Sequence, residues 1–255
     1  MKLVAILRIK DQIQTIDQCL TKLSELVDEI IVLDNCSTDG TFDVYKKYPK
    51  IIEILQTVGF DEGRDKIMLL DAAKKRNPDW IMWIDADEVF EKHFTRTIIE
   101  NYMNSSYNRV TFRMCNFWLS KTHCRFDHEY YLYTLHPQRS MWRNLEGSYF
   151  RNMKIHNGDI QGITGKTFLS PYRIKHYGYV YKAKIEEKMK TYMEADANKS
   201  RDYEKTIDPR VEFKSFTFYE FENRFVNLLY IYFYKYFLNV LWIAERVRLK
   251  LKKYV

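Results

Sequence analysis

The first third of the chain alternates between two hydrophobic periods, and that alternation leaves few architectures open. Residues 3–9 (LVAILRI) form a continuous apolar run with the length of a buried strand. Ile16, Leu20, Leu23 and Val27 follow at helical spacing, with Thr15 and Gln18 placed as a capping box. Residues 29–34 (EIIVLD) read as a second buried strand, 41–48 as a helix and 51–56 as a third strand. Residues 63–76 suit a helix and 80–85 (WIMWID) a fourth strand. Strand alternating with helix at this pitch predicts βαβ units on an open, mostly parallel sheet flanked by helices. Such α/β sheets bind ligands beyond the carboxyl ends of their strands. Here those ends carry Arg8 and Lys10, Asp34, and Asp85 with Asp87.

The second half reads differently. From Arg109 to Tyr177 the pattern breaks into short aromatic strands and polar loops, and helical spacing resumes over 182–196 with Ile185, Met189 and Tyr192 on one face. Asp208-Pro209 marks a boundary, giving a domain over 1–207, in halves 1–108 and 109–207, and an aromatic, basic helical segment over 208–255. Residues 225–244 (FVNLLYIYFYKYFLNVLWIA) are long enough to span a bilayer, but Lys235 near the centre argues against it. Tyr and Trp with a following basic run suit a membrane interface, and a helix docked on the domain or on a second copy is the other reading. The net charge of +7 is concentrated in part in this segment. The N-terminus has no signal-peptide pattern, so a cytoplasmic location is expected, peripheral on a membrane if the last segment binds one.

Cys19, Cys36, Cys115 and Cys124 form no C-x-x-C pair and are read as reduced structural thiols. The spacing of Cys115, His123, Cys124 and His128 matches no usual zinc pattern.

The sharpest chemical signal stands at the end of the fourth strand. An apolar run delivers Asp85, Asp87 and Glu88 within four residues, which is costly unless a positive charge sits there. Strand alternation would set Asp85 and Asp87 on one side and Glu88 on the other. Two hard oxygen ligands suit Mg²⁺ or Mn²⁺, whose remaining positions are filled by phosphate oxygens and water.

In this context the sequence resembles the family-2 glycosyltransferases of GT-A, Rossmann-like fold, over most of 3–196. The resemblance is carried by Lys10-Asp11-Gln12 after the first strand and by Asp34-Asn35-Cys36-Ser37-Thr38-Asp39-Gly40-Thr41 after the second. Gly63-Arg64-Asp65 and Asp85-Ala86-Asp87 complete it, in that order. It implies a nucleoside diphosphate sugar as donor, a hydroxyl acceptor on a glycan or lipid-linked glycan, and inversion at the anomeric carbon. It implies further that Arg8, Asp34, Arg64 and Asp85 bind the donor and that Asp85, Asp87 and, from the late Lys175-His176-Tyr177-Gly178-Tyr179 element, His176 hold the metal. Asp39 reads as a turn and helix cap.

Inversion requires a base for the acceptor hydroxyl. Where many relatives carry a His-Glu pair this chain has His156-Asn157, so Asp159 and then Glu146, Asp127 or Glu129 are the candidates. Trp118, Trp142, Tyr131 and Tyr133 would stack on sugar or fill core. The first strand is followed by no Gly-rich loop, which argues against a sugar-phosphate nucleotidyltransferase. No nucleic-acid motif appears, so a basic binding module for nucleic acid is not expected.

Overall fold

The structure is a computed structural model that describes residues 1–125, 137–196 and 215–251. Ten strands are described: β1 (Leu3–Ile9), β2 (Glu29–Asp34), β3 (Ile51–Gln56), β4 (Trp80–Trp83), β5 (Glu88–Phe90), β6 (Tyr107–Trp118), β7 (His123–Arg125), β8 (Pro137–Arg143), β9 (Lys166–Tyr179) and β10 (Ser215–Thr217). The helices are α1 (Ile16–Leu26), α2 (Thr41–Val44), α3 (Glu62–Lys75), α4 (Arg96–Met103), α5 (Lys182–Ala195) and α6 (Arg224–Leu251).

The strands form one sheet in the order β10-β7-β6-β8-β4-β1-β2-β3, with β9 pairing both β6 and β5. β3, β2, β1 and β4 are mutually parallel; β8 then joins β4 and β6 antiparallel, while β9 runs parallel to β6. The chain moves outward from β1 to β3 and then crosses back to place β4 on the other side of β1. The order therefore reverses between β1 and β4, the position at which open α/β sheets leave a crevice.

The continuous apolar runs follow from burial on both faces. Leu3, Ala5, Leu7, Ile30, Val32, Trp80 and Met82 face one core, which α1, α4 and Ile231 of α6 cover. Val4, Ile6, Ile31, Leu33, Ile81 and Trp83 face the other, closed by Leu69, Leu70 and Ala73 of α3 with Phe150 and Ile160. α1 starts at Ile16 without the expected capping box: Thr15 turns its hydroxyl back to Gln12.

The segment after Asp208, read from sequence as a separate tail, is tied to the domain where it is described. β10 pairs β7. Arg173 on β9, buried and paired with Glu91 at 2.7 Å, has Phe218 at 4.2 Å and Tyr234 at 4.8 Å from its guanidinium carbon. Among the described residues no helix is long and apolar enough to cross a membrane.

Candidate active site

The crevice between β1 and β4 is a cleft of about 450 Å³. One wall is made by the carboxyl ends of the parallel strands, with Arg8, Lys10, Asp11, Asn35, Cys36, Asp85 and Asp87. The other is made by Tyr177 and Gly178 of β9 and by Lys184, Glu187, Lys188 and Tyr192 of α5.

The acidic cluster does not continue the strand alternation. β4 ends at Trp83, and a turn in which Glu88 N–H donates to the Asp85 carbonyl brings Glu88 back beneath the other two acids. Glu88 is fully buried and its carboxylate accepts from the Asp85 N–H at 3.0 Å and from Arg139 Nε at 2.8 Å. Arg139, on β8, also pairs with Asp85. Burial opposes a charge on Arg139, yet Asp85, Glu88 and Asp87 together raise its pKa above the usual guanidinium value.

Asp87 is buried, with His176 Nε2 at 3.3 Å and Lys188 Nζ at 3.6 Å from one carboxylate oxygen. Burial alone would raise its pKa, but His176, Lys188 and Arg139 outweigh that and hold the carboxyl well below the ordinary range. His176 stands opposite Glu88 on β5 and Asn116 on β6. Its Nδ1 lies 2.6 Å from the Asn116 side-chain oxygen, so Nδ1 carries the proton. With Nδ1 turned to Asn116, Nε2 faces the Asp87 carboxylate, the orientation that a ligating imidazole takes beside a carboxylate ligand.

These residues fit a divalent cation. Ligand atoms of Asp87, Glu88 and His176 all lie within 4.8 Å of one another. Gly178 leaves the space open: a Cβ there would sit 2.7 Å from His176 Nε2 and 2.9 Å from Lys188 Nζ, and closer still to Asp87. Glu88 is committed to Arg139, which leaves Asp87 and His176 as the two ligands of this group beside Gly178.

The other expected donor-binding residues are placed as follows. Arg8 lines the cleft with its guanidinium 4.5 Å from the centre of the Phe60 ring and pairs with Asp65 at 2.8 Å. Arg64 also pairs with Asp65 at 2.8 Å and donates to the Val58 and Gly59 carbonyls, which holds the loop that lines the cleft. Asp34 is fully buried; its oxygens accept from Ser37 N–H and the Tyr45 hydroxyl, both at 2.6 Å, so it orders the turn that presents Asn35 and Cys36. Asp39 accepts from Thr41 N–H and Ile13 N–H at 3.0 Å, as a turn cap does.

Of the acids expected as base, Asp159 and Glu146 are not brought to this cleft. Ser140 follows Arg139 on β8 and so faces the opposite side of the sheet. There it donates to Asp159 at 2.8 Å, and Arg109 pairs with the same carboxylate. Glu146 follows β8 past the pair Trp80–Arg143, at the amino end of β4 and away from the cleft. Asp127 and Glu129 lie outside the described residues, as do Tyr131, Tyr133 and His128. Glu187, on α5, lines the cleft with its side chain 55% exposed, one oxygen pairing with Lys184 at 2.9 Å. Trp142 is core, and Trp118 is buried against Tyr179 at 4.5 Å between ring centres. Arg139 and Lys188, which balance the acids, had no local signature. The pairing of β8 beside β4 and the packing of α5 over β9 are what bring them in.

The chain is similar to a Bacillus subtilis (strain 168) protein assigned as the teichuronic acid biosynthesis glycosyltransferase TuaG, at 30% identity over 79 residues, 31% of each chain. Among solved structures, S. aureus TarS 1-349 in complex with UDP-GlcNAc superposes with a TM-score of 0.49 at 17% identity, covering 78% of this chain and 69% of that one. Mannosyl-3-phosphoglycerate synthase from Rubrobacter xylanophilus superposes at 0.37 and 19% identity, covering 46% and 41%. The chain thus spans less than a third of the curated relative that it matches. Residues 6–170 match the model of glycosyl transferase family 2, a stretch running from β1 into β9 that takes in the acidic wall of the cleft, and the chain belongs to that family.

Proposed function

We propose that the chain moves a glycosyl group from a nucleoside diphosphate sugar to a hydroxyl of a glycan or lipid-linked glycan, with inversion and with Mn²⁺ or Mg²⁺ assisting. The observation that carries this reading is the meeting of Asp87 and Gly178, which line the crevice where the strand order reverses, with the buried His176 beside them. Asp87 and His176 would hold the cation; Asp85, expected as a ligand, is paired with Arg139 and stands outside this group of ligand atoms. When bound, the cation would neutralise charge on the departing diphosphate. Arg8 and Lys188 bring further positive charge to the same cleft. Arg64 and Asp34 act one step back, fixing the loops at 58–59 and 35–37 that face the nucleoside.

The proton acceptor is the acid that faces the cleft, and Glu187 is the described acid in that position outside the metal cluster and the Asp11 turn. Activity is expected at the cytoplasmic side. A membrane or a second copy of the chain would be met through α6.

The test is binding of nucleoside diphosphate sugars with Mn²⁺, read as a rise in thermal midpoint. Asp87→Asn should remove that metal-dependent rise and lower transfer by at least about 10²-fold, the scale of losing a group that stabilises developing charge. Unchanged transfer by this variant with the metal chelated would overturn the assignment.

A further inference from the structure

The two faces of α6 differ sharply. Its inner face is fixed: Asn227, Ile231 and Tyr234 are buried, and Ile231 belongs to the main core. Lys235, the charge that interrupts the apolar run, is turned inward with its ammonium 4.8 Å from the centre of the Phe168 ring. The outer face therefore has a defined direction. On it Phe225, Leu229, Phe233, Tyr236, Val240 and Ile243 are each 57–68% exposed. At helical pitch these six fall within an arc of about 80° and run along about 27 Å. A contiguous apolar patch of this extent marks an interaction surface.

Charge identifies the occupant. From Arg224 onward the sequence carries seven Lys and Arg against Glu245 alone, so +6 of the chain's +7 resides in this segment. Five of those seven cations follow Ile243, the last residue of the apolar stripe, in the sequence. Two copies meeting through this face would bring like charges together, whereas an anionic surface complements them. The exposed aromatic rings suit the headgroup boundary of a bilayer. Leu229, Phe233, Tyr236, Val240 and Ile243 also follow the four-three spacing of a coiled-coil seam, which makes self-pairing the competing outcome.

We propose that α6 lies along the surface of an anionic lipid bilayer, its outer face among the acyl chains, and that the net positive charge of this segment draws it to anionic headgroups. This rests on α6 alone and stands or falls independently of the donor chemistry.

The test is co-sedimentation of the full chain with vesicles of phosphatidylcholine alone and of equal parts phosphatidylcholine and phosphatidylglycerol. Binding to the mixed vesicles should be at least about 100-fold tighter than to the neutral ones and should weaken as salt is added. Phe233→Asp with Tyr236→Asp, both on the outer face, should lower that binding by more than about ten-fold while the thermal midpoint without lipid is unchanged. Equal binding by this variant, no preference for the anionic vesicles, or a dimer that forms through this face and leaves lipid unbound would each overturn the proposal.

Discussion

The two walls of the cleft are built by different means. The strand-end wall comes from β1, β2 and β4, each a short apolar run whose polar residues follow directly in sequence. The opposite wall comes from β9 and α5, whose functional residues Gly178 and Lys188 sit in segments shaped by packing far from them in sequence. The family match covers the first wall and ends at residue 170, before the second begins. Charge links the walls as well: Lys188 of the second lies 3.6 Å from Asp87 of the first. An acidic strand end is thus only half of a site. The cations that pair with its carboxylates arrive by long-range assembly.

The largest effect that bears on this contrast concerns Arg139, which stands on β8 beside the first wall and pairs with both Asp85 and Glu88. Arg139→Leu should destabilise the fold by about 3–5 kcal/mol, because it strands the fully buried Glu88 without its partner. Urea unfolding measures this, and adding Glu88→Gln in that background should recover part of the loss. A cost below about 1 kcal/mol, the scale of exposed ion pairs, would mean that the acids need no cation from outside their own turn.

A smaller effect separates the walls by metal affinity instead of stability. Asn116 is not among the residues that line the cleft, and its side-chain oxygen accepts the Nδ1–H of His176. Asn116→Leu should weaken Mn²⁺ binding by about 10- to 100-fold, the usual effect of losing the partner that orients a ligating imidazole. Asn116→Asp keeps an acceptor and should retain the affinity. Electron paramagnetic resonance of free Mn²⁺ gives the readout. Equal weakening by both variants would show that the position matters for packing only.

Much of the first wall was legible because its residues are set by local periodicity. β1, β2 and β3 begin and end where the apolar runs do, and Arg8 reaches the cleft from the end of β1 while Asp87 reaches it from the turn after β4. Legibility failed where the chain stops being a strand. Alternation placed Glu88 opposite Asp87, but the turn after Trp83 buries both against the same cluster. It failed again where a carboxylate's neighbours decide its use. Asp34 and Asp159 are acids in plausible places, yet Tyr45 with Ser37 in one case and Arg109 with Ser140 in the other already occupy their oxygens. No single-residue pattern reports such partners. The outer face of α6 was visible as aromatic density, but which side of the helix turns outward depended on Ile231 and Tyr234 finding the core.

The smallest effect isolates the first wall's local character. Asp39 stabilises the turn between β2 and α2 through hydrogen bonds from groups within a few residues and from Ile13. Burial would raise its carboxyl pKa, but the Thr41 hydroxyl and the Ile13 and Thr41 amides hold it below the usual value. A folded-state pKa below the unfolded one means that the stabilisation is complete above the unfolded value, about 3.9, and fades as pH falls through the folded value. Asp39→Ala should therefore cost about 1 kcal/mol at neutral pH, as loss of a cap does. The difference from wild type should shrink in urea titrations carried out below about pH 4. Mn²⁺ affinity should stay unchanged, since nothing in this turn touches Asp87 or His176. If affinity falls in parallel with stability, the two walls are coupled through the fold, and the strand-end wall is not the self-contained unit that its sequence pattern suggests.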